Sequence, residues 1–209
     1  MLQIIIHIFE VDYSAIAEVV VPIILENKKS SSNSGKLKTV ISKIQNLSGP
    51  AVSAALRVLP QNIKDDIAVS IVQNYENQIL QKMNDLLAEK QLLLAVKDIE
   101  VAKKDNIEIC LIFDEIDYTA LISTAYPQIV HRGNTNEKFI KIFSILDKLG
   151  NKSTDVIHAT LGVLSQDEKD EIVSCIISAY EQEIITVVNT FATEKKIKVS
   201  IGGVEIRKI

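Results

Sequence analysis

Shifted by 105 positions, the chain aligns with itself: residues 2–104 match 107–209 without a gap, and 28 of the 103 aligned pairs are identical. This constrains the fold more than any other feature, because a repeat of that length must build the same local structure twice and bury both copies. Glu10-Val11-Asp12-Tyr13-Ser14-Ala15-Ile16 faces Glu115-Ile116-Asp117-Tyr118-Thr119-Ala120-Leu121, and Pro22 faces Pro127. Further on, Leu56 and Val58-Leu59 meet Leu161 and Val163-Leu164, Gln61 meets Gln166, Tyr75-Glu76 meets Tyr180-Glu181, and Asn84 meets Asn189. Many other pairs exchange Ile, Val and Leu, as expected where volume and burial matter more than identity. The expectation is a tandem duplication, residues 1–105 and 106–209, packed together as one compact unit about a pseudo-twofold axis.

Each copy opens with a strand. Leu2, Ile4, Ile6 and Ile8 alternate with Gln3, Ile5, His7 and Phe9, and Ile107, Ile109, Leu111 and Phe113 repeat the phase. Asp12 and Asp117 then take the place of an N-cap before a first helix, which Pro22 and Pro127 should kink or stop. A second helix is predicted at Lys36–Asn46 and Glu137–Leu149, and a short third at 50–58 and 154–163. The longest element runs from Pro60 or Gln166 to about Lys90 or Glu194. Ile63, Ile67, Ile71, Tyr75, Ile79, Met83 and Leu87 form its apolar stripe, and Ser165-Gln166-Asp167-Glu168 reads as a capping box. Gly202-Gly203, between Ile197–Ile201 and Val204–Arg207, predicts a closing β-hairpin, with Leu92–Val96 and Ile99–Lys103 in the same places of the first copy. The sum is an α+β protein, two copies of a β-α-α-α-α-β-β unit, each a helical bundle against a small antiparallel sheet.

Composition enters where partners are concerned. With 23 basic and 27 acidic residues the net charge is -4, which removes the broad positive footprint of nucleic-acid binding. Residues 1–10 carry no basic n-region or small-residue cleavage site, and the chain holds no apolar run of the roughly 20 residues that a membrane span needs. A cytoplasmic setting without a transmembrane segment is therefore expected. Cys110 and Cys175 fall in apolar patterns and read as buried free thiols.

No nucleophile, zinc or phosphate-loop signature is present. The histidines His7, His131 and His158 occupy unrelated repeat positions, which excludes a symmetric histidine site. One repeated acidic constellation remains. Glu10 with Asp12, and Glu115 with Asp117, could hold a hard divalent cation between the copies, with Tyr13 or Tyr118 orienting a substrate. The competing assignment makes both aspartates helix caps and both tyrosines packing residues, and it is favoured, so neither a metal nor a cofactor is expected. Asn84 and Asn189 lie just off the long stripe and are candidates for a cross-helix hydrogen bond.

Differences between the copies carry separate information, because equivalent positions of unequal polarity must meet different surroundings. Val19, Val20, Val21 and Ile23 stand where the second copy has Thr124, Ala125, Tyr126 and Gln128, Leu93 stands opposite Lys198, and Phe9 opposite Asp114. The expected partner surface is thus Phe9, Val20, Val21, Ile23 and Leu93, for self-association or a protein partner. The function expected from sequence is a noncatalytic binding or scaffold protein, and the alternative is a metal-dependent or small-ligand-binding enzyme.

Overall fold

The computed structural model describes residues 2–12, 49–103, 107–132, 144, 148 and 152–208. The alternating N-terminal run is strand β1 (Leu2–Val11), followed by α1 (Gly49–Arg57), α2 (Gln61–Glu89) and β2 (Val96–Lys103). The second half contributes β3 (Ile107–Phe113), α3 (Tyr118–Arg132), α4 (Thr154–Val163), α5 (Gln166–Ser178), α6 (Glu181–Glu194) and β4 (Val199–Lys208). The second helix expected at Lys36–Asn46 and nearly all of its counterpart at Glu137–Leu149 lie outside the described residues.

The strands form one antiparallel sheet in the order β2-β3-β1-β4, so β1 and β3 are central and each half closes its sheet edge on the other half's first strand. One face carries Ile4, Ile6, Ile109 and Leu111, all at most 4% exposed, against the helices. Helix α2 packs on β2, β3 and α6, helices α5 and α6 pack on β4, and α3 packs on α4 and α5. On the opposite face Ile5 and Cys110 are also buried.

The register obeys the sequence offset. Adding 105 to the first partner and subtracting 105 from the second carries Gln3↔Ile112 onto His7↔Glu108 and leaves Ile5↔Cys110 unchanged. The same operation carries Ile99↔Leu111 onto Ile6↔Val204, and Lys103↔Ile107 onto Leu2↔Lys208. One irregularity corresponds too: Lys97 is passed over between Val96 and Asp98, and Gly202 between Ile201 and Gly203, while a further shift between Ile8 and Glu10 occurs only in the β1–β4 pairing. The ends of the long helices match as well. After α2 and α6, Gln91 and Lys196 take left-handed φ values of 55° and 57°. The next amides, of Leu92 and Ile197, each bond 2.8 Å back to the carbonyls of Leu87 and Ala192, closing a Schellman turn in both halves.

Three expectations are corrected. First, the closing hairpins do not form: β4 runs straight through Gly202-Gly203, β2 runs through Lys97-Asp98, and Leu92–Ala95 is not strand, so each unit ends in a single β rather than β-β. A two-residue turn would give up the ladder that β1 and β3 offer, and the extra residue is absorbed as a bulge instead. Second, of the kink or stop expected at Pro127 the stop does not occur, since α3 runs on to Arg132; Pro22 lies outside the described residues. Side-chain donors of Ser123, Thr124 and Gln128 reach carbonyls in the turns before the proline. Third, the expected helix from Gln166 to Glu194 breaks at Ala179-Tyr180, where Tyr180 has φ -112° and ψ 14°. Its ring is 1% exposed and its hydroxyl donates to Gln128 Oε1 at 2.9 Å. The sequence equivalent of Gln128 is Ile23, which has no acceptor, and the equivalent helix α2 is unbroken through Tyr75.

Candidate functional site

Between β1 and the helices α2 and α6 lies a cavity of about 70 Å³. Ile6 and Ile8 line it from the sheet, Ala68, Ile71 and Val72 from α2, and Val188, Phe191 and Ala192 from α6. The sequence equivalents Leu111, Phe113, Val173, Ile176 and Ile177 are all at most 1% exposed. Four pairs exchange a small side chain at the cavity for a larger one opposite: Ile8 for Phe113, Ala68 for Val173, Val72 for Ile177, and Ala192 for Leu87. Tyr180 is buried, whereas Tyr75 stays half-buried at the edge of the cavity and meets Phe191 edge to face, ring centres 5.7 Å apart.

Cations stand at that edge. Lys195 Nζ lies 5.2 Å from the Tyr75 ring centre and 5.5 Å from that of Phe191. Lys82 lines the cavity and reaches Glu194 at 3.6 Å, an exposed pair of the kind that contributes at most about 1 kcal/mol. Burial raises the Tyr75 phenol above its ordinary value. A second, polar hollow adjoins the first through Ala192, Ile197 and Val199, and Asp12, Asn189, Lys196 and Lys198 contribute to its lining.

The acidic constellation is divided among separate roles. Asp117 is exposed and its Oδ1 accepts the amide of Ala120 at 3.0 Å, so it caps α3. Tyr118 turns away from it, and its hydroxyl donates to Asp170 Oδ1 at 2.6 Å and accepts from Gln166 Nε2 at 2.6 Å. Burial first, and then the bond to and charge of Asp170, push this phenol up to about 12. Gln166 also donates to Asp170 at 2.7 Å, and the equivalent Gln61 donates to Asp65 at 2.7 Å. Asp12 is exposed in the polar hollow, its amide donating to the Lys198 carbonyl at 3.0 Å, and Glu115 is exposed. Glu10 lies in β1, while the Glu10 side chain and the whole of Tyr13 fall outside what is described. Among the described residues no group of three or more His, Cys, Asp or Glu could hold a metal ion. Of the expected partner surface, Leu93 is 53% exposed. Val20, Val21, Ile23 and the Phe9 side chain lie outside the described residues.

The other face of the sheet carries a charge network. His7 Nε2 is 3.3 Å from Glu205 Oε2, and His7 Nδ1 is 3.7 Å from Glu108 Oε1. Arg207 donates to Glu108 at 3.3 Å and to Glu205 at 3.2 Å. The Arg207 bond is the main reason that the Glu205 carboxyl is held below its ordinary range. Glu108 is 5% exposed, and a carboxylate so buried is stable only because charged neighbours meet it. The sequence equivalents of His7 and Arg207 are Ile112 and Ala102, neither of which can carry a charge.

Comparison of the chain with protein-family models, with characterised proteins and with solved structures finds no match in any of the three. The cavity was the feature missed from sequence. Its signal was nevertheless there, in the small-for-large exchanges between Ala68 and Val173 and between Ala192 and Leu87.

Proposed function

We propose that the chain is a noncatalytic binding protein made from two copies of one unit, residues 1–105 and 106–209, in which the second copy stabilises the fold and the cavity beside α2 receives an apolar ligand. One observation carries the reading: a cavity with an apolar lining lies where Ile8, Ala68, Val72 and Ala192 are each smaller than their sequence equivalents. An unfilled apolar cavity costs stability, because its walls lack partner atoms on one side. The duplication is supported by the register, which transforms into itself under the offset of 105, together with the bulges at Lys97 and Gly202 and the ends of the long helices. The structural roles of Asp117 and Tyr118 weigh against the enzyme alternative.

The test is thermal unfolding with a panel of small neutral apolar molecules, benzene and hexanol among them, combined with ligand-observed NMR. Saturable stabilisation that grows with ligand concentration is the expected result. A panel in which every compound leaves the midpoint unchanged and shows no transfer of saturation would refute the reading. Protein binding through the first copy is favoured by one observation of its own, the 53% exposure of Leu93. Sedimentation of the parent and of Leu93→Lys checks it, since only an interface containing Leu93 makes the two differ.

A further inference from the structure

We infer that the ligand of this cavity is the short hydrocarbon tail of a carboxylate, with its head group at Lys82 and Lys195. The inference rests on the binding reading above and adds the ligand's chemistry. Size sets the tail: a cavity of about 70 Å³ holds on the order of five water-sized groups, which suits a chain of about six carbons and excludes a long fatty acyl chain lying wholly inside. The lining sets its polarity, since Ile6, Ile8, Val72, Val188 and Ala192 offer no side-chain hydrogen-bonding group to a polar tail. Charge sets the head. Lys82 belongs to the lining itself, and Lys195 stands over the two rings that border the opening.

The only acidic contact of Lys82 within ion-pair distance among the described residues is the exposed one to Glu194, which a bound carboxylate can replace with little loss. The sequence equivalents sharpen the point. Lys82 corresponds to Val187, which lines the same cavity, so α2 supplies a cation there and α6 a hydrocarbon at the equivalent position.

The experiment uses the full chain and two probes of equal tail length, hexanoate and hexanol, followed by titration calorimetry and by chemical-shift mapping of the Ala192 and Val188 methyl groups. Hexanoate is expected to bind about tenfold tighter than hexanol, and Lys82→Met with Lys195→Met to bring the two to parity without weakening hexanol. Ala192→Leu, which installs the larger residue of its sequence equivalent Leu87, is expected to abolish both and to leave the protein folded and no less stable. Hexanol binding as tightly as hexanoate would overturn the carboxylate assignment while leaving the binding reading intact. Failure of both probes to bind would overturn both readings. Undiminished binding in Ala192→Leu would show that the probes bind elsewhere and would overturn the assignment to this cavity.

Discussion

Asn84 and Asn189 are the same residue at the same repeat position, and the structure gives them opposite consequences. Asn84 reaches from α2 to the start of β2, where its Oδ1 accepts the Val96 amide at 2.7 Å and its Nδ2 donates to the Val96 carbonyl at 3.1 Å. Its amide thereby serves as an extra rung of sheet beside the bulge at Lys97. Val96 is 4% exposed, so removing the side chain strands two backbone groups away from water. Two net hydrogen bonds at about 1 kcal/mol each, with a share of the desolvation cost of the orphaned groups, give a loss of about 3 kcal/mol for Asn84→Ala. In a chain of this size that lowers the unfolding midpoint by roughly 6–12 °C. Asn189 is exposed at the polar hollow, and Asn189→Ala should stay within about 0.5 kcal/mol of the parent. Urea unfolding followed by circular dichroism measures both. Equal costs for the two variants, or a cost below about 1 kcal/mol for Asn84→Ala, would refute the account of Asn84 as a sheet-extending group.

Gln91 and Lys196 hold left-handed φ without being glycine, so Gln91→Gly and Lys196→Gly should each stabilise by about 1 kcal/mol, read from the same urea curves. Asp117→Ala should cost about 0.5–2 kcal/mol while Asp117→Asn is nearly neutral and insensitive to millimolar magnesium, because the side chain caps α3. The Tyr118 phenol is neutral in the folded chain up to about 12 and near 10 in the unfolded chain. Its contribution to stability is therefore complete below pH 10 and lost as pH rises from 10 towards 12, a slope that Tyr118→Phe removes. Cys175 is fully buried and its thiol is pushed up to about 11 by that burial and secondarily by the Glu171 charge. With Cys110 also buried, an aromatic disulfide reagent at pH 8 should find no thiol until urea is added, and rapid labelling of the folded chain would count against the packing described.

Local features were legible because they rest on neighbours in sequence. The alternation in Leu2–Phe9, the Ser165–Glu168 capping box, the α1 and α4 segments and the Asp117 cap all involve residues within one or two turns of each other, and all appear where their pattern places them. The offset of 105 also anticipated which strands would be alike. It could not say which would pair, since β1 joins both β3 and β4 across separations that no periodicity reports. Gly202-Gly203 read as a turn because glycine in isolation permits one. The long ladder of β4 against β1 decided otherwise. Asn84 was legible as a buried amide needing a partner, but the partner is a strand and not a helix. Tyr75 and Tyr180 show the division most sharply. By sequence they are one residue at one position of one helix. Only the tertiary structure separates them: the helix breaks at Tyr180, whose hydroxyl donates to the half-buried Gln128 2.9 Å away, whereas α2 runs unbroken through Tyr75 at the rim of the cavity.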